Sequence, residues 1–249
     1  MDCNDQNGTG PGIFITFEGG EGAGKTTHIN FLARVLRKKG HEVLCLREPG
    51  GTAIGESLRQ VVLDTKNEAL CDEAELFLYE AARAQIVSEV IKPALVRGAV
   101  ILCDRFYDST LAYQVYGRGL PESFVRQANS MACQGVHPCR TILLTTGASA
   151  EAGLLRATHH GAADRVEAAG LEFHKRVNEG FLHIATESPE RIRVVVSAAK
   201  KSQTARAIFQ ELADIFDWDE DDTVFDFDVF SSLDTRKTED TLADIHAGV

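Results

Sequence analysis

Short apolar runs of strand length alternate along this chain with longer segments whose apolar residues recur at helical spacing. The strand-like runs are residues 12–18, 42–47, 99–104, 140–145 and 192–196. The helix-like segments are residues 25–39, 72–97, 121–134, 167–187 and 202–216. Strands that alternate with helices predict a parallel sheet covered on both faces. We therefore expect one α/β domain over residues 12–216, with three layers and a five-stranded parallel sheet.

The charge of the chain is concentrated at one end. The formal net charge is −11, but residues 217–249 hold eleven acidic and only two basic residues, so the rest is close to neutral. An acidic run of this kind repels itself, and we expect residues 217–249 to be a disordered tail. Residues 1–11 are polar and rich in Gly and Asn, which predicts a flexible lead-in. A nearly neutral domain gives no reason to expect a nucleic-acid partner.

Cysteine usage and hydropathy bear on the compartment. The six cysteines form no C-x-x-C pair, and several lie inside apolar runs, which is typical of reduced thiols. No apolar run approaches the roughly 20 residues that span a bilayer. We expect a cytoplasmic protein without a membrane partner.

The most specific feature is a glycine-rich loop at residues 19–26, which fits the pattern G-x-x-x-x-G-K-[ST]. It follows a predicted strand and opens a predicted helix, as a phosphate-binding loop must. Glycines let backbone N–H groups surround phosphate oxygens, Lys25 would reach the β- and γ-phosphates of ATP, and Thr26 would hold Mg²⁺. The expected ATP-binding residues are Gly19, Gly20, Glu21, Gly22, Ala23, Gly24, Lys25, Thr26 and Thr27.

Two observations narrow the class of phosphate-loop protein. The chain has no Asn-Lys-x-Asp motif to read guanine, which argues against a GTPase. A core of about 200 residues suits a small kinase better than a larger motor ATPase or helicase.

Four further segments carry a family resemblance. They are residues 17–27 (FEGGEGAGKTT), 47–52 (REPGGT), 82–85 (ARAQ) and 103–114 (CDRFYDSTLAYQ). In this order they resemble the bacterial thymidylate kinase family, over roughly residues 12–216. The resemblance implies a nucleoside-monophosphate-kinase fold, phosphorylation of dTMP to dTDP by ATP with Mg²⁺, and a homodimer.

The resemblance also implies a set of substrate contacts. Arg47 and Arg105 would bind the acceptor phosphate, and a guanidinium fork suits phosphate oxygens. Phe77 would stack on thymine, and Arg83 would donate to its exocyclic oxygen. The remaining expected contacts to sugar and base are Glu21, Ser109, Tyr113 and Gln114.

The catalytic assignments come from the same comparison and from the chemistry of the transfer. Asp104 follows the third predicted strand, where a carboxylate can organise Mg²⁺ directly or through water, together with Thr26. Lys25 and Arg105 would neutralise charge on the transferring group. Arg156 and Arg165 would do so from a mobile lid at about residues 156–167.

Two departures from the family pattern lie near the lid. Thr158 and His160 stand where relatives often have arginines, and Thr145 and Thr146 with a glycine replace a common aspartate. Arg156 and Arg165 therefore remain as the lid cations.

Two alternatives stay open from the sequence. A deoxynucleoside kinase shares the phosphate loop and an acid-arginine pair after a strand, but it does not need both Arg47 and Arg105 at an acceptor phosphate. A weakly active nucleotide-binding regulator would be consistent with a lid that has few arginines and with the acidic tail. Turnover of thymidine would favour the first alternative, and ATP binding without turnover the second.

Overall fold

The computed structural model describes residues 11–146, 164–218 and 227–235. Its centre is a parallel sheet whose five strands lie in the order β2-β3-β1-β4-β5. The strands are β1 (Ile13–Glu18), β2 (Val43–Arg47), β3 (Val100–Asp104), β4 (Arg140–Thr145) and β5 (Ile192–Val196). Each agrees with its predicted run within one residue. The expected three-layer α/β fold with a five-stranded parallel sheet is confirmed.

Helices occupy the segments between the strands. They are α1 (Lys25–Lys38), α2 (Ala53–Leu63), α3 (Asp72–Ile86), α4 (Lys92–Val96), α5 (Tyr107–Thr110), α6 (Glu122–Cys133), α7 (Leu171–Glu187), α8 (Lys201–Gln210), α9 (Ala213–Phe216) and α10 (Phe227–Thr235). A π-helical turn at Val87–Ile91 joins α3 to α4, and a second at Leu111–Gly117 continues α5. None of the helices described is long and apolar enough to cross a membrane.

Within the described part of residues 12–216, two helical segments were not predicted from the sequence. The segment from α5 through Gly117 buries polar as well as apolar side chains, among them Asp108 and Gln114 at 2 % exposure each. A helix buried on several sides shows no contrast between an apolar and a polar face, so its periodicity is hidden. In α2, by contrast, most side chains are accessible, and its buried positions are Gly55 and Val62.

Both faces of the sheet are buried. Along β1, Phe14 packs in one apolar cluster, whereas Ile15 and Phe17 pack in another on the opposite face. This alternation follows from the two-residue period of a strand. The parallel sheet therefore aligns the carboxyl ends of its strands along one edge, where the site residues that follow these strands meet.

Residues 227–235, a described part of the expected tail, differ from the sequence expectation. Residues 227–235 form helix α10, where a solvated acidic tail was expected. Phe230 and Leu233 lie one helical turn apart and are buried at 3 % and 6 % exposure. Trp218, at 8 %, joins the same cluster against α1 and α8. The acidic composition hid these apolar residues, whose common face appears only when the segment is helical.

Candidate active site

The phosphate loop joins β1 to α1 at the carboxyl edge of the sheet. Gly24 precedes α1 with φ of 92°, a left-handed conformation that favours glycine. A Cβ atom on Gly19 would collide with the carbonyl oxygen of Leu144 on β4. Within the described residues no side chain caps the start of α1, so its N–H groups and its positive dipole end suit an anion.

Lys25 is folded back over this loop. Its ammonium donates to the carbonyl oxygens of Gly19 and Gly20, each at 3.0 Å. Burial, and then the neighbouring charge of Arg105, lowers the pKa of Lys25. The cation lies where phosphates cradled by the loop would meet it.

Thr26 and Asp104 place two oxygen ligands beside the loop. The Thr26 hydroxyl donates to Oδ2 of Asp104 at 2.9 Å, so α1 and the end of β3 meet here. Mg²⁺ prefers hard oxygen ligands and keeps several waters, which suits a hydroxyl and a carboxylate next to phosphates. The described residues contain no group of three His, Cys, Asp or Glu that could hold a metal ion.

Arg105 lies at the junction of the phosphate loop and a neighbouring cavity. Its φ of 69° is unusual for a side chain of this size, and it turns the chain sharply after β3. The guanidinium donates to the Gly19 carbonyl at 3.1 Å, to the Ser109 hydroxyl at 3.1 Å and to Glu21 at 2.5 Å. Burial alone would lower the pKa of Arg105, but the Glu21 carboxylate raises it above its ordinary range, and the cation is retained.

Glu21 is the anionic partner in this arrangement. Besides Arg105 it accepts the phenol hydrogen of Tyr113 at 2.9 Å. Burial by itself would raise its pKa, but the charges of Arg105 and Lys25 lower the pKa of Glu21 to about 2. A fixed negative charge therefore stands between the phosphate loop and the cavity.

The cavity next to Arg105 collects most of the expected substrate residues. Those that line it are Glu21, Arg83, Arg105, Ser109, Tyr113 and Gln114. Arg83 is held from behind, because it donates to Glu48 at 2.8 Å and to Glu80 at 3.0 Å. Asn129 accepts from the same guanidinium at 2.8 Å. The planar group is thus oriented before any ligand enters.

Two expected contacts lie elsewhere. Phe77 is 54 % exposed and packs edge-on against Phe124, outside the cavity lining in the described part of the chain. Tyr79 lines the cavity in its place, four residues before Arg83. Residues four apart share one face of a helix, so this spacing could have identified Tyr79 from the sequence.

Arg47 is also outside the cavity lining. It pairs with Glu56 at 3.0 Å and donates to the Pro49 carbonyl at 3.3 Å. Arg59 lines the cavity and donates to the same carbonyl at 3.0 Å. The second cation facing the cavity from this region is therefore Arg59.

The expected lid is described only at its end. Arg156 lies outside the described residues. Arg165 donates to Glu75 and, at 2.8 Å, to the Val62 carbonyl, so the structure does not bring it to the phosphate loop. Glu75 also accepts from Gln114 at 2.8 Å. These contacts tie the segment that leads into α7, which we call the lid helix, to the wall of the cavity.

Buried carboxylates that sequence reasoning missed support these groups. Glu18, at 1 % exposure, accepts the N–H of Phe106 at 2.8 Å and the Ser109 hydroxyl at 2.5 Å. Burial, and then the charge of Asp108, raises the pKa of Glu18 to about 8. Glu48, behind Arg83, has its pKa raised by burial to about 7. Acidic residues at the ends of apolar strands were the available signal.

Comparison with known proteins identifies the family. A family model described as thymidylate kinase matches residues 17–208. A thymidylate kinase of Trichlorobacter lovleyi is 46% identical over 202 residues, which cover 79% of this chain and 94% of the relative. One of Gloeobacter violaceus is 46% identical over 206 residues, covering 82% and 95%. The crystal structure of thymidylate kinase from Ehrlichia chaffeensis matches 81% of this chain and 100% of its own, with a TM-score of 0.67 and 32% identity. The phosphate loop, the cavity beside it and these matches together show that the chain belongs to the thymidylate kinase family.

Proposed function

We infer that this protein transfers the γ-phosphoryl group of ATP to dTMP and releases dTDP and ADP. The observation that carries this function is the position of Arg105, whose guanidinium contacts the phosphate loop and the cavity at once. A group bound in the cavity would present its phosphate next to phosphates held by the loop. Such positioning is the main requirement of phosphoryl transfer.

The donor side consists of the loop, Lys25 and the Thr26–Asp104 pair. Loop N–H groups and Lys25 would bind the β- and γ-phosphates. Thr26 and Asp104 would hold Mg²⁺, Asp104 directly or through water. The ion would supply charge neutralisation on the phosphate oxygens.

The acceptor side consists of the cavity. Arg105 would bind the dTMP phosphate, with Arg59 as a second cation where Arg47 was expected. Glu21 and Tyr113, already hydrogen-bonded to each other, would face the sugar. Because the Glu21 charge persists at neutral pH, it also holds Arg105 in place.

Base recognition would rest on Tyr79 and Arg83, with Ser109 and Gln114 beside them. Arg83 can donate hydrogen bonds but accept none. It therefore suits the exocyclic oxygen of thymine and rejects the exocyclic amine of cytosine. Glu48 and Glu80 would hold the Arg83 guanidinium in one orientation and so strengthen this preference for thymine.

Arg156 remains our candidate for the lid cation at the transferring group. Arg165, held by Glu75, would position the lid helix and would reach the phosphates only after a rearrangement. Because the lid is arginine-poor, Lys25 and Arg105 would supply much of the positive charge at the transferring group.

Assembly and location are proposed with this function. The large, apolar and exposed side chains of the described α2, α3 and α6 include Ile54, Val61, Phe77 and Phe124. We take this face as the surface of a homodimer. The described cysteines are not joined in disulfides, which favours a reducing compartment such as the cytoplasm.

A coupled ADP-release assay with ATP and Mg²⁺ tests the function. Acceptors would be dTMP, dUMP, dCMP, dGMP and thymidine, and Lys25→Ala would serve as the inactive control. We expect turnover with dTMP far above the other acceptors, lost in the control. Turnover on thymidine would replace this function by that of a nucleoside kinase, and ATP binding without turnover on any acceptor would replace it by that of a regulator.

A further inference from the structure

The described C-terminal helix lies beyond the part of the chain that the family model matches, which ends at residue 208. Its Phe230 ring lies 5.6 Å from Phe31 on α1 and 5.2 Å from Phe209 on α8, centroid to centroid. Trp218 stacks on Phe209 at 5.2 Å. Helix α10 therefore packs on two helices at once.

Both of those helices border the phosphate loop. Helix α1 begins at Lys25, the lysine of the phosphate loop. Just before α8, the Ser197 hydroxyl donates to the carbonyl oxygen of Ala23 in the middle of the loop, at 3.1 Å. The next residue, Ala198, donates its N–H to the Thr204 hydroxyl within α8 at 2.8 Å. A shift of the start of α8 would thus reach the loop through Ser197.

The start of α8 is held by a residue of α10. No side chain of the described residues around Lys200, which precedes α8, caps the helix locally. Asp234 does so from α10, because its carboxylate accepts the Ser202 N–H at 3.1 Å and the Ser202 hydroxyl at 2.6 Å. Capping by a carboxylate satisfies N–H groups and complements the positive end of the helix dipole.

We propose that α10, through Asp234 and Phe230, positions the phosphate loop and so raises the affinity of this enzyme for ATP. Asp234 is a positioning residue, since it reaches the nucleotide only by way of Ser202, Ser197 and Ala23. This inference rests on the proposed function of the loop. It also gives the C-terminal segment a role in substrate binding, which a loosely attached tail would not have.

Steady-state kinetics of full-chain variants separate positioning from mere stabilisation. Asp234→Ala should raise KM for ATP roughly 3-fold to 10-fold, the size expected for loss of a helix cap. The kcat and the KM for dTMP should stay within about 2-fold, because the cavity lies away from α8. Asp234→Asn keeps an acceptor for the Ser202 N–H, and its amide can donate to the Ser202 hydroxyl in place of accepting from it, so this variant should restore most of the affinity. Glu73→Ala removes one exposed carboxylate from α3 and is the matched control.

Equal KM values for ATP in Asp234→Ala and Glu73→Ala would overturn the proposal. So would a joint rise of both KM values with a lower melting temperature, since that pattern reports general destabilisation. Failure of the proposed function is a separate result, seen when the unmodified protein itself neither binds ATP nor phosphorylates dTMP.

A second measurement does not depend on turnover. If α10 favours ATP binding, ATP must by linkage favour the packed state of α10. Saturating MgATP should slow backbone hydrogen exchange in residues 227–235, whereas dTMP alone should not. The single tryptophan, Trp218, reports on the same cluster by fluorescence, and Phe230→Ala should shift its emission to the red. Unchanged exchange in α10 with MgATP bound would contradict the proposed coupling.

Discussion

Two glutamates three positions apart differ in charge in this site, since one is ionised at neutral pH and the other is mostly protonated. Glu21 faces Arg105 and Lys25, which hold its pKa at about 2, whereas burial raises that of Glu18 to about 8. Glu21 therefore supplies charge at neutral pH, and Glu18 supplies hydrogen-bond acceptors at low charge. The environment of each carboxyl group decides which task it performs.

The raised pKa of Glu18 predicts a pH-dependent effect of Glu18→Gln. The pKa rises from the ordinary 4.5 to about 8, so the stability linked to the bound proton is complete below pH 4.5 and declines toward pH 8. Glutamine keeps an acceptor for the Phe106 N–H but does not titrate. We expect the stability of the variant relative to the unmodified protein to increase by on the order of 1 kcal/mol per pH unit between pH 5 and 8. Urea unfolding at several pH values measures this difference, and a pH-independent difference would show that Glu18 is ionised throughout.

Tyr79 lines the cavity, and we propose that its ring stacks on thymine. Base-aromatic stacking contributes about 1–3 kcal/mol, so Tyr79→Ala should raise KM for dTMP by roughly one order of magnitude or more. Phe77→Ala removes a ring of similar size outside the cavity and should leave that KM within about 2-fold. The KM for ATP serves as the internal reference in both variants. A larger effect at Phe77 than at Tyr79 would restore the sequence-based assignment.

At the residue scale, predictability from sequence depended on whether the backbone or the side chain does the binding. The phosphate loop was recognisable because glycine spacing itself sets its backbone geometry. Arg47 and Phe77 were placed by resemblance alone, and the structure puts Arg59 and Tyr79 at the cavity. Phe77 and Tyr79 are two residues apart on α3, which is about half a helical turn. The motif is recognisable with either residue, but the two side chains point in nearly opposite directions.

At the scale of elements, α7 and the π-helical turn Leu111–Gly117 form a close pair that carries Tyr113 and Gln114. A Cβ atom on Gly180 of α7 would lie 2.6 Å from the Tyr116 ring. A Cβ atom on Gly117 of the π-helical turn would likewise lie 2.6 Å from the ring of Phe173 on α7. Glycine is needed where the two elements approach, although it lowers the helix propensity of α7.

Gly180→Ala should therefore destabilise the protein. Forcing a methyl group into this contact costs about 1–3 kcal/mol and exceeds the gain of up to about 1 kcal/mol from helix propensity. We expect a lower midpoint of urea unfolding and a higher KM for dTMP, because the displaced element carries cavity residues. Glu179→Ala, at the exposed neighbouring position of the same helix, is the matched control. A Gly180→Ala protein as stable as the control would mean that the two elements separate easily.

The five strands were predictable as short apolar runs, and α1, α3, α6, α7 and α8 were predictable from apolar residues that recur at helical spacing. The segment from Tyr107 to Gly117 has no such period, since polar and apolar side chains are buried together around a ligand cavity. In this segment the polar side chains that line the cavity interrupt the regular spacing of apolar residues that would have predicted a helix.

At the scale of the whole molecule, one surface is left more apolar than a monomer needs. Phe77 and Phe124 contact each other at 6.0 Å between centroids, and yet they are 54 % and 43 % exposed. Ile54 and Val61, on helix α2 that packs against α3, are 55 % and 44 % exposed. The sequence could not show this surface, because an apolar residue on a helix is equally compatible with the core until the packing is known.

If this face joins two copies, a charge placed in its middle should separate them. The same patch is present on both partners of a two-fold dimer, so one substitution acts twice and buries two unpaired carboxylates. We expect Phe124→Asp to shift the mass from light scattering after size exclusion from dimer to monomer at micromolar concentration. Val96→Asp introduces the same charge at a 64 % exposed position at the end of α4 and should leave the dimer intact. A monomeric unmodified protein, or a Phe124→Asp protein that remains dimeric, would remove this face from the interface. In a separated monomer the cavity and the phosphate loop stay within one chain, so ATP binding should persist while the mass halves.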